Sequence, residues 1–163
     1  MVRFISLLDR ILATFCVVLC IGLVISVVWQ VFSRYVLNDP STVTDELARF
    51  LFIWVGLIGA AYGLGKKKHL AIDLLLMKLE TSPKKYLLLQ FVINAISIFF
   101  VSIIMCYGGG RLVLDTIAAG QISPVLGIQM GLIYLALPVS GFFMLVFLMR
   151  DVFTDIYKLS ALH

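Results

Sequence analysis

Residues 11–33 read ILATFCVVLCIGLVISVVWQVFS, a run with no charged side chain that is bounded by Arg10 and Arg34. At a rise of about 1.5 Å per residue, an α-helix of this length crosses the hydrocarbon core of a bilayer, which is about 30 Å thick. The run is too long, and too closely flanked by charge at both ends, to be a cleaved secretory signal. It therefore predicts a membrane-spanning helix.

The same pattern recurs along the chain. Further uncharged runs occupy 50–65, 86–110 and 116–149, and 62% of the 163 residues are hydrophobic whereas only 13% are charged. A soluble fold of this size has too little interior to bury so much apolar surface. The sequence thus predicts an all-α integral membrane protein with four transmembrane helices, at about 11–33, 45–65, 86–108 and 125–149. A soluble enzyme or a nucleic-acid-binding domain is excluded.

The second predicted span begins in charged sequence. Its uncharged part, 50–65, would reach only about 24 Å as a helix, so the helix must start earlier, near Thr44. That start brings Asp45, Glu46 and Arg49 into the first turns. Acidic side chains suit a helix N-terminus, and Asp45 stands four residues before Arg49 in the favourable order for an ion pair.

Basic residues predict the orientation. Ten of the 13 lysines and arginines fall in residues 1–10, in the connection 66–85 or after residue 149. By the positive-inside rule these segments, and both termini, are cytoplasmic. Residues 69–82 are apolar but punctuated by charge, which is typical of an interfacial amphipathic segment or of a second helix prolonged into the cytoplasm. Residues 1–10 likewise either lie along the membrane surface or extend the first helix into the cytoplasm.

The spans contain little chemistry. Ion-handling transporters usually place ionisable or paired polar groups at mid-membrane depth, and the mid-span positions here are almost free of them. Cys16 and Cys20 are neighbours on one helix face, no Cys/His cluster exists, and both histidines lie outside the spans, so no metal or other cofactor is predicted. Small residues spaced four apart predict close helix packing, at Gly56/Ala60, Gly59/Gly63 and Gly127/Gly131.

Several strings resemble one family when they are taken in order. They are QVFSRY at 30–35, DELARFLFIWVGLIGAA at 45–61, HLAID at 69–73, PVLGI at 124–128 and YLALPVSG at 134–141. Together they resemble the small membrane subunit, the DctQ-like Q subunit, of tripartite ATP-independent periplasmic (TRAP) transporters. The resemblance runs over nearly the whole chain.

The resemblance implies a multi-pass protein of the bacterial inner membrane that is not an enzyme. In such systems a soluble periplasmic binding protein captures an organic anion, such as sialic acid or a C4-dicarboxylate, and delivers it to the membrane component. A large multispan subunit then performs sodium-coupled, elevator-type transport, and the small subunit braces it. The expected partners are that large subunit as a separate chain, the binding protein and phospholipids, and no nucleic acid. The solute remains open.

Residue hypotheses follow from these placements. Asp45, Glu46 and Arg49 are expected to form a charge cluster with Arg34 or Arg111 that fixes the outer helix ends, or else only to cap and lengthen the second helix. The outer connections, 34–44 and 111–124, are expected to give the binding protein a minor docking surface. The other candidate structural positions are Trp54 packing on the partner, Gly59 in a close helix contact, His69 and Asp73 in a hydrogen-bonded cytoplasmic turn, and Pro138 kinking the fourth helix.

Two rival classes stay open at this stage. A small four-helix exporter acting as a dimer would need a membrane-embedded carboxylate, and the first span has none between Arg10 and Arg34. A membrane anchor for a quinone-linked enzyme is disfavoured by the lack of intramembrane histidines, although a haem-free anchor would not need them.

Overall fold

The computed structural model describes residues 2–66 and 83–160, and it is helical over most of that length. Its elements are α1 Val2–Tyr35, α2 Thr42–Gly65, α3 Pro83–Phe100, a π-helical segment Val101–Gly108, α4 Gly109–Ala118, α5 Met130–Tyr134 and α6 Ala136–Ser160. The predicted interfacial segment 69–82, with His69 and Asp73, lies outside the described residues.

Four segments are long and apolar enough to cross a membrane. They are Ser6–Tyr35, Thr42–Gly65, Leu89–Ala118 and Met130–Thr154, called TM1 to TM4 below. Within the described residues the only β-type pairing is an isolated bridge between Ile122 and Gln129. The prediction of an all-α membrane protein with four spans is confirmed.

The second helix begins at Thr42, because Ser41 caps it. The Ser41 backbone is extended, and its hydroxyl accepts a hydrogen bond from the Thr44 amide at 3.4 Å. The Thr44 hydroxyl in turn donates to the Ser41 carbonyl at 3.1 Å. This cap satisfies one of the free amides of the first turn and places Asp45 in that turn, near the positive end of the helix dipole.

TM3 continues well beyond the predicted end at 108, because α3, the π-helical segment and α4 are continuous. Buried residues recur at every fourth position along it: Val101, Met105, Gly109 and Val113. In an α-helix a four-residue spacing drifts around the axis, since four residues exceed one turn. The wider π-helical turn of 101–108 rotates less per residue, and it therefore keeps Val101, Met105 and Gly109 on the side that faces TM4.

TM4 starts at Met130 and is interrupted at Leu135, whereas the sequence placed its start near Val125. Residues 119–129 instead fold into a loop, in which Gly127 has a left-handed backbone with φ of 65°. We call it the outer loop, and outer and inner below name the two sides of the membrane as the basic residues predict them. Gly127 and Gly131 therefore do not share one helix face, and the packing motif expected there is wrong. Gly131 alone makes the close contact, because any side chain at this position would overlap Ile117 of α4.

The helices are arranged as an open row. Within the described residues the backbone of α1 comes close to that of α2 alone, α2 packs on TM4, and TM4 packs on TM3. One core cluster joins Leu12, Ile58, Ala61 and Phe147, from TM1, TM2 and TM4. A second joins TM3 to TM4 through Val101, Met105 and Leu148. Because the row does not close into a bundle, α1 keeps most of its bulky apolar side chains exposed.

Candidate functional site: polar contacts at the helix ends

The outer ends of α1 and α2 are joined through Asp45. One of its carboxylate oxygens accepts a hydrogen bond from the Gln30 side-chain amide at 2.6 Å. Its other oxygen pairs with Arg49, one turn further along α2. Asp45 therefore connects two transmembrane helices, while the Arg49 side chain remains mostly exposed.

The connection between these two helices is held by Ser33. This residue is buried, its hydroxyl donates to the Gln30 carbonyl at 3.0 Å, and it accepts from the Ser41 amide at 3.3 Å. The Asp39 amide also donates to the Ser33 carbonyl, at 3.2 Å. The short outer connection is thus folded back onto the end of α1.

Glu46 makes the longest-range polar contact of the outer side. Its Oε2 atom accepts hydrogen bonds from the backbone amides of Val125 at 3.1 Å and Leu126 at 2.9 Å. The Ser123 side chain also hydrogen-bonds to this carboxylate, and its hydroxyl accepts a bond from the Leu126 amide at 3.2 Å. The carboxylate is nearly buried and joins α2 to the outer loop 119–129.

The outer charged residues make only part of the contacts that were considered from the sequence. Arg49 pairs with Asp45, but among the described residues neither Arg34 nor Arg111 forms an ion pair with Asp45 or Glu46. The partners of Glu46 are backbone amides of the outer loop, which charge patterning cannot reveal. The only sequence signal for them is that Pro124 and Gly127 mark a turn.

The inner ends carry a second set of contacts, which the sequence reasoning missed. Lys66 at the end of α2 pairs with Asp9 of α1 at 3.1 Å. Arg150 of α6 donates to the Gly65 carbonyl at 3.0 Å and to Asp151 at 2.8 Å. A guanidinium at the carboxyl end of α2 satisfies a free carbonyl and suits the helix dipole. Their position at the span ends was the only available signal.

Three predicted positions have distinct surroundings. Trp54 lies edge-on to Phe15 of α1, with ring centroids 6.1 Å apart, and borders the chain's own core, so its packing on a partner stays a prediction. Gly59 has open space where a side chain would begin. Pro138 follows the interruption at Leu135, in the first turn of α6, where its missing amide costs little, and it packs close to Gly109.

The polar contacts of the described residues hold helices to one another. No three His, Cys, Asp or Glu side chains there group closely enough for a metal ion. The buried hydroxyls of Ser26 and Ser140 donate to carbonyls of their own helices, Gly22 at 2.8 Å and Leu137 at 3.0 Å. The charged contacts described above all lie at helix ends.

Comparison with known proteins decides what kind of protein has this architecture. The family model for the DctQ component of tripartite ATP-independent periplasmic transporters matches residues 23–157. This chain belongs to the DctQ family. It is a small TRAP transporter permease subunit rather than an enzyme, and it is a multi-pass protein of the bacterial inner membrane.

Individual relatives agree with the family. A Haemophilus influenzae protein that carries the name of a TRAP transporter small permease protein is 26% identical over 146 residues, which are 86% of both chains. The C4-dicarboxylate TRAP transporter small permease protein DctQ of Rhodobacter capsulatus is 34% identical over 60% of this chain and 41% of its own length. The sialic acid TRAP transporter permease protein SiaT of Haemophilus influenzae is 33% identical over 35% of this chain and 9% of its own length.

Proposed function

We propose that this DctQ subunit is a stationary brace for a large, elevator-type transport subunit. The observation that carries the proposal is the open row of helices, in which α1 has one neighbour among the described elements and keeps a bulky apolar surface exposed. An isolated four-helix protein would gain packing contacts by closing into a bundle. A row of spans instead offers two broad faces to a second membrane protein.

The polar contacts support a bracing role. They tie α1, α2 and TM4 to one another at both ends of the spans, through Asp45 and Glu46 outside and through Lys66 and Arg150 inside. Helices that are fixed at both ends resist displacement when a neighbouring subunit moves. The spans need no ionisable group of their own if the large subunit handles the ion and the solute.

The relatives support a large membrane partner. In SiaT the stretch similar to this chain is a minor part of a much longer permease. For the present chain, the corresponding partner is a large TRAP subunit. We propose that it packs on the face of α2 around Gly59, where Gly56 and Gly63 also have open space, because small residues allow a close approach of helices.

The transported solute belongs to the class of organic anions, and its import is coupled to sodium. The relatives' names include C4-dicarboxylate and sialic acid, and both of these solutes are carboxylates. A periplasmic binding protein delivers the anion, and the outer connections at 34–44 and 111–124 supply a minor part of its docking surface.

Reconstitution tests this function. The large subunit is placed in vesicles with and without this chain, and uptake of labelled sialic acid and of labelled succinate is followed with its binding protein, under an inward sodium gradient and under an equal potassium gradient. We expect the two membrane subunits to purify together, and we expect sodium-dependent uptake of one anion only when this chain is present. A large subunit that transports equally well alone would refute the bracing role, and uptake indifferent to sodium would refute the coupling.

A further inference from the structure

The outer loop 119–129 is inverted in polarity. Its apolar side chains point outward, with Ile122 64% exposed, Val125 43% and Ile128 37%. The polar groups at its centre are inside, since Ser123 is 2% exposed and Glu46, which the loop covers, is 7% exposed, whereas Gln121 and Gln129 at its base are exposed. A loop in water usually shows the opposite pattern, because apolar surface is costly to hydrate and polar groups are not.

The loop also keeps its backbone hydrogen bonds to itself. The Ser123 amide donates to the Ile128 carbonyl at 2.8 Å, the Gly127 amide to Ser123 at 3.1 Å and the Met130 amide to Gln121 at 3.0 Å. Its preceding turn is closed in the same way, by bonds from Ala119, Gly120 and Gln121 to carbonyls of α4.

Glu46 extends this pattern to the tip of the loop, although the amides of Ile122, Ile128 and Gln129 have no acceptor within the described chain. The amides of Val125 and Leu126 donate to the Glu46 carboxylate rather than to a carbonyl of the loop, while Pro124 has no amide hydrogen to satisfy. A loop in water could leave such donors to solvent. Where water is scarce, each unsatisfied amide is costly, so internal satisfaction is the arrangement expected near hydrocarbon.

The depth of the loop agrees with this environment. The number of residues from Glu46 to Lys66 on TM2 equals the number from Met130 to Arg150 on TM4. Each corresponds to about 30 Å of helix, which is roughly the thickness of the hydrocarbon core. With Lys66 and Arg150 at the inner boundary, Glu46 and the base of the loop lie at the outer boundary. Along the chain, no charged residue occurs between Asp115 and Arg150.

We propose that the outer loop 119–129 is a lipid anchor, whose side chains of Ile122, Val125 and Ile128 insert into the outer leaflet between head groups and acyl chains. The Glu46 carboxylate is a positioning group that holds the loop in this shape. A soluble periplasmic partner is a poorer occupant of this apolar tip, because the loop would face water whenever that partner dissociated, and the uncharged tip offers no electrostatic complement. The proposed docking of the binding protein is therefore left to 34–44 and to the part of 111–124 that precedes the loop.

Site-directed spin labelling tests the anchor. In a chain whose Cys16, Cys20 and Cys106 are replaced by alanine, single cysteines are introduced as Val125→Cys, Ile128→Cys and, as the matched control in the other outer connection, Asp39→Cys. The labelled chain is assembled with its large subunit in vesicles of phosphatidylethanolamine and phosphatidylglycerol. Collisions of each label with oxygen, which concentrates in lipid, and with a water-soluble nickel chelate are then compared.

We expect labels at Val125 and Ile128 to collide several-fold more with oxygen than with the chelate, and the label at Asp39 to show the reverse. Labels at Val125 and Ile128 that meet the chelate as freely as the one at Asp39 would overturn the proposal in favour of an aqueous loop. Labels that meet neither reagent would overturn it in favour of a protein partner covering the loop.

A second pair of variants tests the positioning role. Glu46→Gln keeps a carbonyl oxygen that can accept both amide bonds, whereas Glu46→Ala removes the acceptor. We expect the oxygen preference of the label at Val125 to survive Glu46→Gln and to fall several-fold in Glu46→Ala. An unchanged preference in Glu46→Ala would refute the positioning role. If Glu46→Ala does not assemble, the labels at Val125 and Ile128 in the chain that keeps Glu46 still decide whether the loop is a lipid anchor.

Discussion

Glu46 accepts hydrogen bonds from the consecutive amides of Val125 and Leu126, at 3.1 and 2.9 Å, although these residues are far from it in the sequence. This contact joins the first turns of α2 to the outer loop that precedes TM4. The Glu46 carboxylate of α2 thus helps to shape the loop 119–129, which is distant from it in the chain. The energetic consequences of the contact are open to direct measurement.

Glu46→Ala should lower the free energy of unfolding, because it leaves the amides of Val125 and Leu126 without their acceptor. Glu46→Gln should cost less, since its carbonyl oxygen replaces the lost acceptor. Denaturant titration of the purified chain in detergent, followed by circular dichroism, measures both. Equal losses in the two variants would mean that the charge, and not the acceptor, is responsible.

Gly131→Ala should destabilise the chain by about 1–3 kcal/mol, because the added methyl group would overlap Ile117 across the TM3–TM4 contact. Gly59→Ala is the matched control, since its methyl group meets open space within the chain. Thermal unfolding in detergent distinguishes them. If Gly59→Ala destabilised the isolated chain as much as Gly131→Ala, the result would contradict the packing described for these two glycines.

Gly59→Leu should weaken assembly with the large subunit while leaving the isolated chain folded. The reason is that a bulky side chain on the open face of α2 separates the helices that we propose to meet there. Co-purification from membranes, quantified against the unaltered chain, is the measurement. Full recovery of the complex would exclude this face from the interface.

Gln30→Ala should cost more than Arg49→Ala, although both residues contact Asp45. The Gln30 bond joins two helices, and its loss should cost about 1 kcal/mol, whereas the exposed Arg49 pair should be worth about 0.5 kcal/mol or less. A double-mutant cycle with Asp45→Ala isolates each pair. If Arg49→Ala also left assembly and uptake unchanged, a functional charge cluster around Arg49 would be ruled out.

Arg150→Lys should destabilise the inner end of the chain by about 2 kcal/mol, of the order of one charge-assisted hydrogen bond, although it keeps the charge. Arginine reaches the Gly65 carbonyl and Asp151 at once, and its guanidinium lies 5.4 Å from the centre of the Phe147 ring. A lysine cannot reproduce that planar, multiple contact. Unfolding measurements at low and high salt provide the check, and a loss that disappears at high salt would indicate simple charge attraction instead.

Much of the fold could be predicted from the order of the residues. Uncharged runs bounded by arginine and lysine predict four spans, and the short run at 50–65 predicts that α2 must begin in charged sequence. The observed start at Thr42, with the Ser41 cap, agrees with that reasoning. These features are local, because membrane insertion depends on the summed transfer free energy of a continuous segment.

The outer part of TM4 could not be predicted in the same way. Residues 125–129 are as apolar as the helix that follows them, yet they belong to a folded loop. The amides of Val125 and Leu126 bond to Glu46, and the Gly127 amide bonds to the Ser123 carbonyl. A carboxylate in a distant part of the sequence therefore contributes to the choice between helix and loop. Hydropathy does not distinguish an apolar loop from an apolar helix.

The glycines show the same division. The sequence indicated three spacings of small residues as packing sites. Only the tertiary structure decided that Gly131 packs inside the chain, that Gly127 turns a loop, and that Gly56, Gly59 and Gly63 remain open. Which face of a helix is covered depends on the arrangement of its neighbours, and a spacing on one helix contains no record of them.

The sequence by itself determined that the chain lies in a lipid bilayer, how many spans it has and which family it resembles. It also predicts the orientation of the spans. These follow from the distribution of charge and apolar surface along one dimension. The tertiary structure alone decided the open row of helices, the partners of Glu46 and Arg150, and the outward-facing apolar loop. Those features depend on distances between segments far apart in the chain, which are set by packing once the helices meet.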